Sequence, residues 1–447
     1  MTYGTRSRTR DTTRLATPPG GLAARREAIA AEAVTFPVLV GLVHFVIVQL
    51  AASIAYLSGT PREDSAPYRY VPVPMEGLAH VLVEPLRQWD GFWYKLIAEQ
   101  GYGGPPPNDA FPAFWPLYPW LMAAGSRLTG ASVETAGWVI SHVAFLVALT
   151  LLYRLVALDF DRPTARRTLL ALALFPTAFF FSAVYTESLF LMLAVGALLA
   201  ARQGNWLLAG ILGALTALTR FQGMLLLVPF AVLFLQQHRF ELRRWFPNAL
   251  FAALPILGPA TFALHLDRAG KRPLDFYDAQ QGWDRFSASP LETFRCATVG
   301  CDRLIEQNGR LVPYRVQGAE WGWVADFLRN PTWEYLTSEP FRSTVMNSDT
   351  LELVCTLLFL GLAAAGLRQL PLYQSAYIWP ALVLPLFGPS IVHPLFSLPR
   401  FGITLFPLFI MLVLLLKQRR WALPALLIST VLLVILTAQF AQWYWVS

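Results

Sequence analysis

The chain has 447 residues, of which 55% are hydrophobic, 14% aromatic and only 14% charged, and its mean hydropathy is +0.46. That composition excludes a water-soluble domain of this size and requires a bilayer around much of the chain. The formal net charge of +7 gathers between apolar segments, so it reports membrane topology and implies no nucleic-acid partner.

A helical span takes about 20 apolar residues. Eleven segments approach that length, near 35–57, 134–157, 168–185, 187–201, 205–219, 222–236, 246–266, 349–367, 371–391, 400–416 and 421–443. The expected fold is therefore an all-α polytopic membrane protein of about eleven transmembrane helices. Residues 1–34 are Arg-rich and expected to form a disordered cytoplasmic tail, and 35–443 a single membrane-embedded module. The first apolar stretch is long enough to span and is not read as a cleavable signal. Between the first two spans, Phe111 to Gly130 carries Pro112, Pro116 and Pro119, which marks an interfacial or re-entrant element. Taken as a full span, it would invert everything after it.

The positive-inside rule supports this reading. The inner segments hold 18 of the 35 basic residues: Arg6, Arg8, Arg10, Arg14, Arg25 and Arg26, then Arg154, Arg162, Arg166 and Arg167, Arg202, then Arg239, Arg243 and Arg244, Arg368, and finally Lys417, Arg419 and Arg420. The outer face receives two long loops, 58–133 and 267–348, and tight turns at 185–187, 220–221 and 392–399. Three cysteines make no disulfide scaffold. Cys296 and Cys301, five apart in the second outer loop, are either a local bridge or two free thiols. No histidine stands nearby to complete a zinc site. Cys355 falls inside a span and reads as a packing residue.

Chemistry is expected in the outer loops. Asp90, in Gln88-Trp89-Asp90-Gly91-Phe92-Trp93-Tyr94, is a carboxylate among aromatic residues just past the first span. It suits a catalytic base at the membrane surface and equally a helix N-cap. Glu187, Arg220, His393 and Arg400 fall at the outer turns on this topology. Each alone reads as a snorkelling anchor, but together they suit a phosphorylated lipid-linked ligand, since guanidinium forks pair well with phosphate oxygens. The one Asp-x-Asp sequence, Asp159-Phe160-Asp161, lies in a short inner loop and is read as solvated. No phosphate loop, His-Glu-x-x-His or nucleophile elbow is present, so energy for a transfer has to come from a membrane-soluble activated donor.

In order along the chain stand Gln88 to Tyr94 with Ile97-Ala98-Glu99-Gln100-Gly101-Tyr102, Phe114-Trp115-Pro116-Leu117-Tyr118-Pro119, and Leu174 to Phe190, including Tyr185-Thr186-Glu187-Ser188. They are followed by Ala217-Leu218-Thr219-Arg220-Phe221-Gln222-Gly223, Ala279-Gln280-Gln281-Gly282-Trp283-Asp284-Arg285 and Pro399-Arg400-Phe401. With these blocks the chain resembles the integral-membrane GT-C glycosyltransferases, and among them the relatives of the second mannosyltransferase of GPI-anchor assembly, the PIG-V-like family, over most of residues 80–410. It departs at Gly91 and Phe92, where small or polar residues are also common, and in a longer second outer loop.

The resemblance implies transfer of a sugar, usually mannose, from a polyprenyl-phosphate carrier to an acceptor hydroxyl on the non-cytoplasmic face, with inversion. Asp90 would then be the base, Arg400 and Arg220 the donor-phosphate ligands, and Glu187, Trp89, Trp283, Arg285 and His393 the sugar or acceptor ligands. Neither a metal nor another cofactor is expected, because a phosphate-linked donor can be neutralised by arginine. The acceptor is a glycan, glycolipid or glycoprotein. Other sugars on the same carrier, a lipid-linked sugar transporter and a non-catalytic presenting protein are the rival readings. The arginine-to-lysine ratio of 32 to 3 points to a GC-rich genome and hence to a bacterial plasma membrane. The aromatic Trp443-Tyr444-Trp445 end reads as an interfacial anchor.

Overall fold

Hydropathy and proline placement together decide where this chain runs as helix. The computed structural model describes residues 19–59, 74–103, 111–239, 241, 245–307, 310–319, 321–322, 328–329, 332, 348–417 and 420–446. Residues 1–18 of the expected tail, much of the first outer loop (60–73 and 104–110) and most of 320–347 in the second lie outside the described residues, as do Arg243, Arg244 and Arg419.

Helix α1 (Pro19–Ser58) begins inside the segment expected to be disordered. Pro19 sits in the first turn, where the missing N–H costs no hydrogen bond, and the alanine-rich stretch behind it favours helix, which continues through Pro37. Leu39, Leu42, Val46, Leu50, Ile54 and Leu57 are exposed along one stripe, as lipid-facing positions at helical spacing should be, while Val40, His44, Val48 and Ala52 are buried on the opposite side. The segment expected as the first outer loop then forms α2 (Leu78–Leu82), α3 (Asp90–Gln100) and α4 (Leu117–Thr129). Helix α4 is about 20 Å long at 1.5 Å per residue, too short for a hydrocarbon core of about 30 Å. It starts after Pro116 and stops at left-handed Gly130.

The body continues through α5 (Val133–Asp159), α6 (Arg162–Ala173), α7 (Glu187–Arg202), α8 (Trp206–Thr219), α9 (Leu227–His238), α10 (Asn248–Ala252) and α11 (Leu257–Arg268). The second outer loop contributes α12 (Asp275–Asp278), α13 (Pro290–Val299) and an antiparallel hairpin of β1 (Cys301–Gln307) and β2 (Arg310–Val316), in which Cys301 faces Val316 and Gln307 faces Arg310. The chain closes with α14 (Ser348–Gly366), α15 (Leu372–Val383), α16 (Leu398–Gly402), α17 (Pro407–Leu416) and α18 (Ala422–Ala441). Among the described residues five helices are long and apolar enough to cross a membrane: Ala31–Ser58, Val133–Asp159, Phe221–His238, Asp349–Gly366 and Ala422–Ala441. Trp206–Thr219, Leu372–Phe387 and Pro407–Leu416 are shorter apolar helices. The all-α membrane architecture read from the sequence is the one observed.

Three expected spans are not continuous helices: 246–266 breaks at a 3-10 turn over Leu254–Ile256, 400–416 breaks between Gly402 and Pro407, and 168–185 departs furthest. The segment 168–185 is helical only to Ala173; after Pro176 it turns into a 3-10 stretch at Ala178–Phe181 and then bends to Glu187. Irregular backbone at membrane depth is tolerated only when buried in protein with its polar groups satisfied, and side chains from other elements satisfy these. His44 Nδ1 donates to Ala173 O at 2.7 Å, which fixes its tautomer and leaves Nε2 to accept from Ser182 Oγ at 3.1 Å. Ser429 donates to Leu174 O, Ser188 to Phe181 O and Ser141 to Tyr185 O, while Val184 N donates to Leu86 O at 2.9 Å.

Helix α5 packs on α7, α7 on α8, and α1 on α18. Close approach of α8 to α10 depends on Gly210, where a Cβ would stand 2.1 Å from the Phe251 carbonyl oxygen. A second apolar cluster, with Trp93, Tyr94, Phe114, Trp115 and Tyr118 at its centre, fastens the first outer loop onto α5, α8 and α11. Of the Asp-x-Asp sequence, Asp161 is exposed as expected, whereas Asp159 is buried. Asp161 Oδ1 caps α6 through Thr164 N at 2.7 Å, and Asp159, whose side chain is 1% exposed, accepts from Arg202, Tyr373 and Gln374. Asp159 therefore ties the end of α5 to the end of α7 and the start of α15, and Asp161 starts α6.

Candidate active site

A buried ion network sets the position of Asp90. Arg87 donates to Glu134 at 2.7 Å and to Glu84 at 3.0 Å, Lys95 reaches Glu134 at 2.8 Å, and His80 pairs with Glu84 at 2.7 Å. These contacts tie the entry to α3 onto the first turn of α5, with each buried charge facing an opposite one. Trp89, immediately before α3, has φ 56° and ψ −114°, a conformation that costs a non-glycine residue about 1–3 kcal/mol. Three bonds hold it there: Trp89 Nε1 donates to Tyr444 O at 3.2 Å, Asp90 N to Tyr185 Oη at 3.0 Å, and Tyr185 Oη to Gln88 O at 3.1 Å. Asp90 opens α3 as the sequence allowed, but its side chain does not cap the helix; it points to Arg400.

Three charged side chains meet behind it. Arg400 donates through Nη1 to Asp90 Oδ2 and through Nε to Glu187 Oε1, and Arg220 donates through Nη2 to the same Glu187 oxygen. Glu187, the first residue of α7, is wholly buried, where a helix N-terminus favours a negative charge. The Arg400 guanidinium lies 4.4 Å from the Tyr185 ring centroid and that of Arg220 5.1 Å from Phe401, contacts that stabilise a desolvated cation. Arg220 is turned into place by Gly223, whose Cβ would stand 2.3 Å from the Thr216 backbone, so α8 can reverse tightly after Thr219.

Asp90, Arg220 and Arg400 line one cavity of about 470 Å³, and Trp283 and Arg285 form part of its wall. Five of the residues singled out from sequence thus share one chamber. Glu187 is not on its surface; it supports the two arginines from behind. Trp89 and His393 are not among the lining residues either. Trp89 packs on Trp443 and Trp445, with ring centroids 5.8 and 4.8 Å apart, and His393 stacks on Trp445 at 6.1 Å. The Trp443 to Trp445 end, expected as an interfacial anchor, packs beside the Trp-Asp pair. Sequence reasoning did not single out Tyr94, Trp115, Phe276, Gln280 and Phe396 of the cavity wall, nor the buried Tyr185 phenol. All but Phe276 and Phe396 stand in the quoted sequence blocks, yet nothing in spacing distinguishes a lining ring from a core ring.

Loop residues 283–288 are clamped to 387–391. Phe286 N donates to Pro389 O at 2.9 Å, Ile391 N to Asp284 O at 3.0 Å and Ser390 Oγ to Trp283 O at 3.1 Å. Arg285 is thereby fixed, with Nη1 on Gly388 O at 2.7 Å and its guanidinium 5.5 Å from the Phe396 ring. Burial pushes its guanidinium below the ordinary arginine value. Cys296 and Cys301 are joined, 4.8 Å apart at Cα, and hold α13 to the hairpin; Cys355 is buried and free. Among the described residues no group of three or more His, Cys, Asp or Glu side chains is arranged to hold a metal.

His393 Nδ1 meets Asp349 Oδ1 at 3.0 Å. Burial opposes its protonation, but the bond to Asp349 and the negative charges of Glu352 and Asp349 outweigh it and hold the imidazole above its ordinary value. A raised folded-state pKa contributes stability that is complete below about 6.5 and is lost as pH rises through the higher value. His393→Gln is therefore expected to remove a downward step in thermal stability above about pH 6.5. Melting curves of both proteins between pH 5.5 and 8.5, as about six points, check it; parallel profiles would contradict the assignment.

Residues 30–251 match the model of the family described as Mannosyltransferase (PIG-V). That region includes Asp90, Glu187 and Arg220; Trp283, Arg285 and Arg400 lie beyond it. No curated protein matches the chain. Among solved structures it is similar to ArnT from Cupriavidus metallidurans bound to undecaprenyl phosphate, at 15% identity and a TM-score of 0.46, covering 87% of this chain and 62% of that one. It is also similar to the Archaeoglobus fulgidus oligosaccharyltransferase in complex with Zn and sulfate, at 12% identity and a TM-score of 0.42, covering 88% and 53%. The chain thus spans less than two thirds of the length of either structure.

Proposed function

We propose that this chain, whose residues 30–251 match the PIG-V mannosyltransferase family, is an integral-membrane glycosyltransferase. In this reading it moves a mannosyl residue from a polyprenyl-phosphate donor to an acceptor hydroxyl on the non-cytoplasmic face, with inversion. The observation that carries the reading is the placement of a carboxylate and three guanidinium groups around one aromatic-walled chamber. Asp90 has Oδ2 on Arg400, and among the described residues nothing bonds Oδ1, which is therefore available as a proton acceptor.

The chemistry is a single displacement. The acceptor oxygen attacks the anomeric carbon as Asp90 Oδ1 takes its proton, and the bond from that carbon to the phosphate oxygen breaks from the opposite side. The electron pair leaves with polyprenyl phosphate. A fixed cation beside the leaving oxygen stabilises the charge that develops there. Trp283 suits a pyranose face, with rings of Trp93 and Phe114 behind it at 6.3 and 5.8 Å. Arg400 has its Nε and Nη1 engaged and Arg220 its Nη2, so each retains guanidinium N–H groups for the donor. The acceptor is a glycan, glycolipid or glycoprotein, and no step requires a metal.

Purified protein in liposomes, supplied separately with labelled polyprenyl-phosphate mannose and GDP-mannose, tests the reading. Consumption of the lipid donor alone, including slow hydrolysis, is expected. Consumption of GDP-mannose, or of neither donor despite binding of the lipid, would overturn it.

A further inference from the structure

The chamber wall holds three arginines, but they differ in what balances them. Arg220 and Arg400 are each bonded to a carboxylate, and Asp90, Glu187, Arg220 and Arg400 together form a neutral quartet. Arg285 stands outside it. Among the described residues no carboxylate lies within ion-pair distance of its guanidinium; its partners are a backbone carbonyl and an aromatic face. Its Nε is buried with no hydrogen-bond partner. Glu352, the carboxylate whose charge reaches it, accepts from Ser397 N at 3.1 Å. An unbalanced cation with an orphan donor is costly unless a ligand completes it.

Three guanidinium groups against the two carboxylates bonded to them leave the chamber wall with one positive charge, which Glu352 offsets only from beyond ion-pair distance. A glycosyl polyprenyl phosphate is a phosphodiester and carries one negative charge. The geometry points to Arg285 as the residue that binds the donor phosphate, with Arg400 and Arg220 holding the base and the buried acid in place. This assignment rests on the lipid-phosphate reading above and changes which arginine meets the phosphate. The clamp between 283–288 and 387–391 keeps the guanidinium pre-set, so little ordering accompanies binding.

The test is binding of undecaprenyl phosphate, with the neutral alcohol undecaprenol as control, to protein in nanodiscs, read by tryptophan fluorescence. Wild-type protein is expected to prefer the phosphate. Arg285→Gln should weaken phosphate binding by about 10- to 100-fold, as loss of a charge-assisted hydrogen bond does, and leave the alcohol unchanged. Arg285→Lys, which keeps the charge but not the fork, should weaken phosphate binding by a smaller but measurable factor of about 3- to 10-fold and leave the alcohol unchanged. Unchanged preference for the phosphate in Arg285→Gln overturns the assignment while leaving the lipid-phosphate reading intact. Absence of any preference in the wild type defeats that reading instead. If Arg285→Gln does not yield folded protein, Arg285→Lys decides alone: a loss confined to the phosphate supports the site, and an equal loss for both lipids, or none, overturns it.

Discussion

Asp90→Asn is expected to lower the rate of sugar transfer by about 10²- to 10⁴-fold, the contribution of a positioned general base, while undecaprenyl phosphate binding stays within about tenfold of wild type. The substitution is nearly isosteric. The bond from residue 90 N–H to Tyr185 is a main-chain contact, so α3 keeps its start, and the amide oxygen can still accept from Arg400. What is lost is the negative oxygen facing the chamber. Initial rates with polyprenyl-phosphate mannose, alongside binding of the lipid, separate this from a packing defect. A variant that turns over at the wild-type rate would remove Asp90 from the mechanism and return it to the role of a helix-opening residue.

Glu187→Gln is expected to destabilise the protein by about 3–5 kcal/mol, because it strands the desolvated Arg220 guanidinium and leaves Arg400 with Asp90 alone. The side chains of Arg220 and Arg400 are only 8% and 6% exposed, so water cannot replace the carboxylate. The effect should be smaller in Glu187→Gln/Arg220→Gln, which restores neutrality, and the coupling between the two sites measures the pair directly. Thermal unfolding in detergent checks it. If the single variant melts with the wild type, the carboxylate is not what keeps these arginines in place.

These two positions also show what could and could not be read in one dimension. Asp90 stood out because a carboxylate among Trp89, Phe92, Trp93 and Tyr94 has few explanations near a membrane. Glu187, Arg220 and Arg400 stood out by side and charge. That Glu187 supports rather than lines the chamber depends on contacts spanning 33 and 213 residues, which no local pattern encodes. Likewise, Trp89 and His393 were read toward the ligand, whereas both pack on a C-terminal segment that approaches only in three dimensions.

The broken segment after Ala173 illustrates a second limit. Hydropathy counts apolar side chains, and Phe179, Phe180 and Phe181 are as apolar in a 3-10 turn as in a helix. Pro176 was the visible warning. The deciding features, His44 and Ser429 supplying hydrogen bonds from distant helices, are invisible to a sliding window. Proline at a helix start also explains α1, where the disordered-tail expectation gave weight to charge over helix propensity.

The chain is made from one end, and the charged quartet records that order. Glu187 opens α7 and Arg220 follows the last residue of α8, so acid and base sit at the two free ends of a single helical hairpin. That hairpin can enter lipid with its own charges already matched, avoiding the cost of a lone ion there. Asp90 has no such neighbour; its partner lies 310 residues further on. The carboxylate proposed to take the proton is therefore secured only when Arg400 arrives, and an unfinished chain holds the Glu187–Arg220 pair without it.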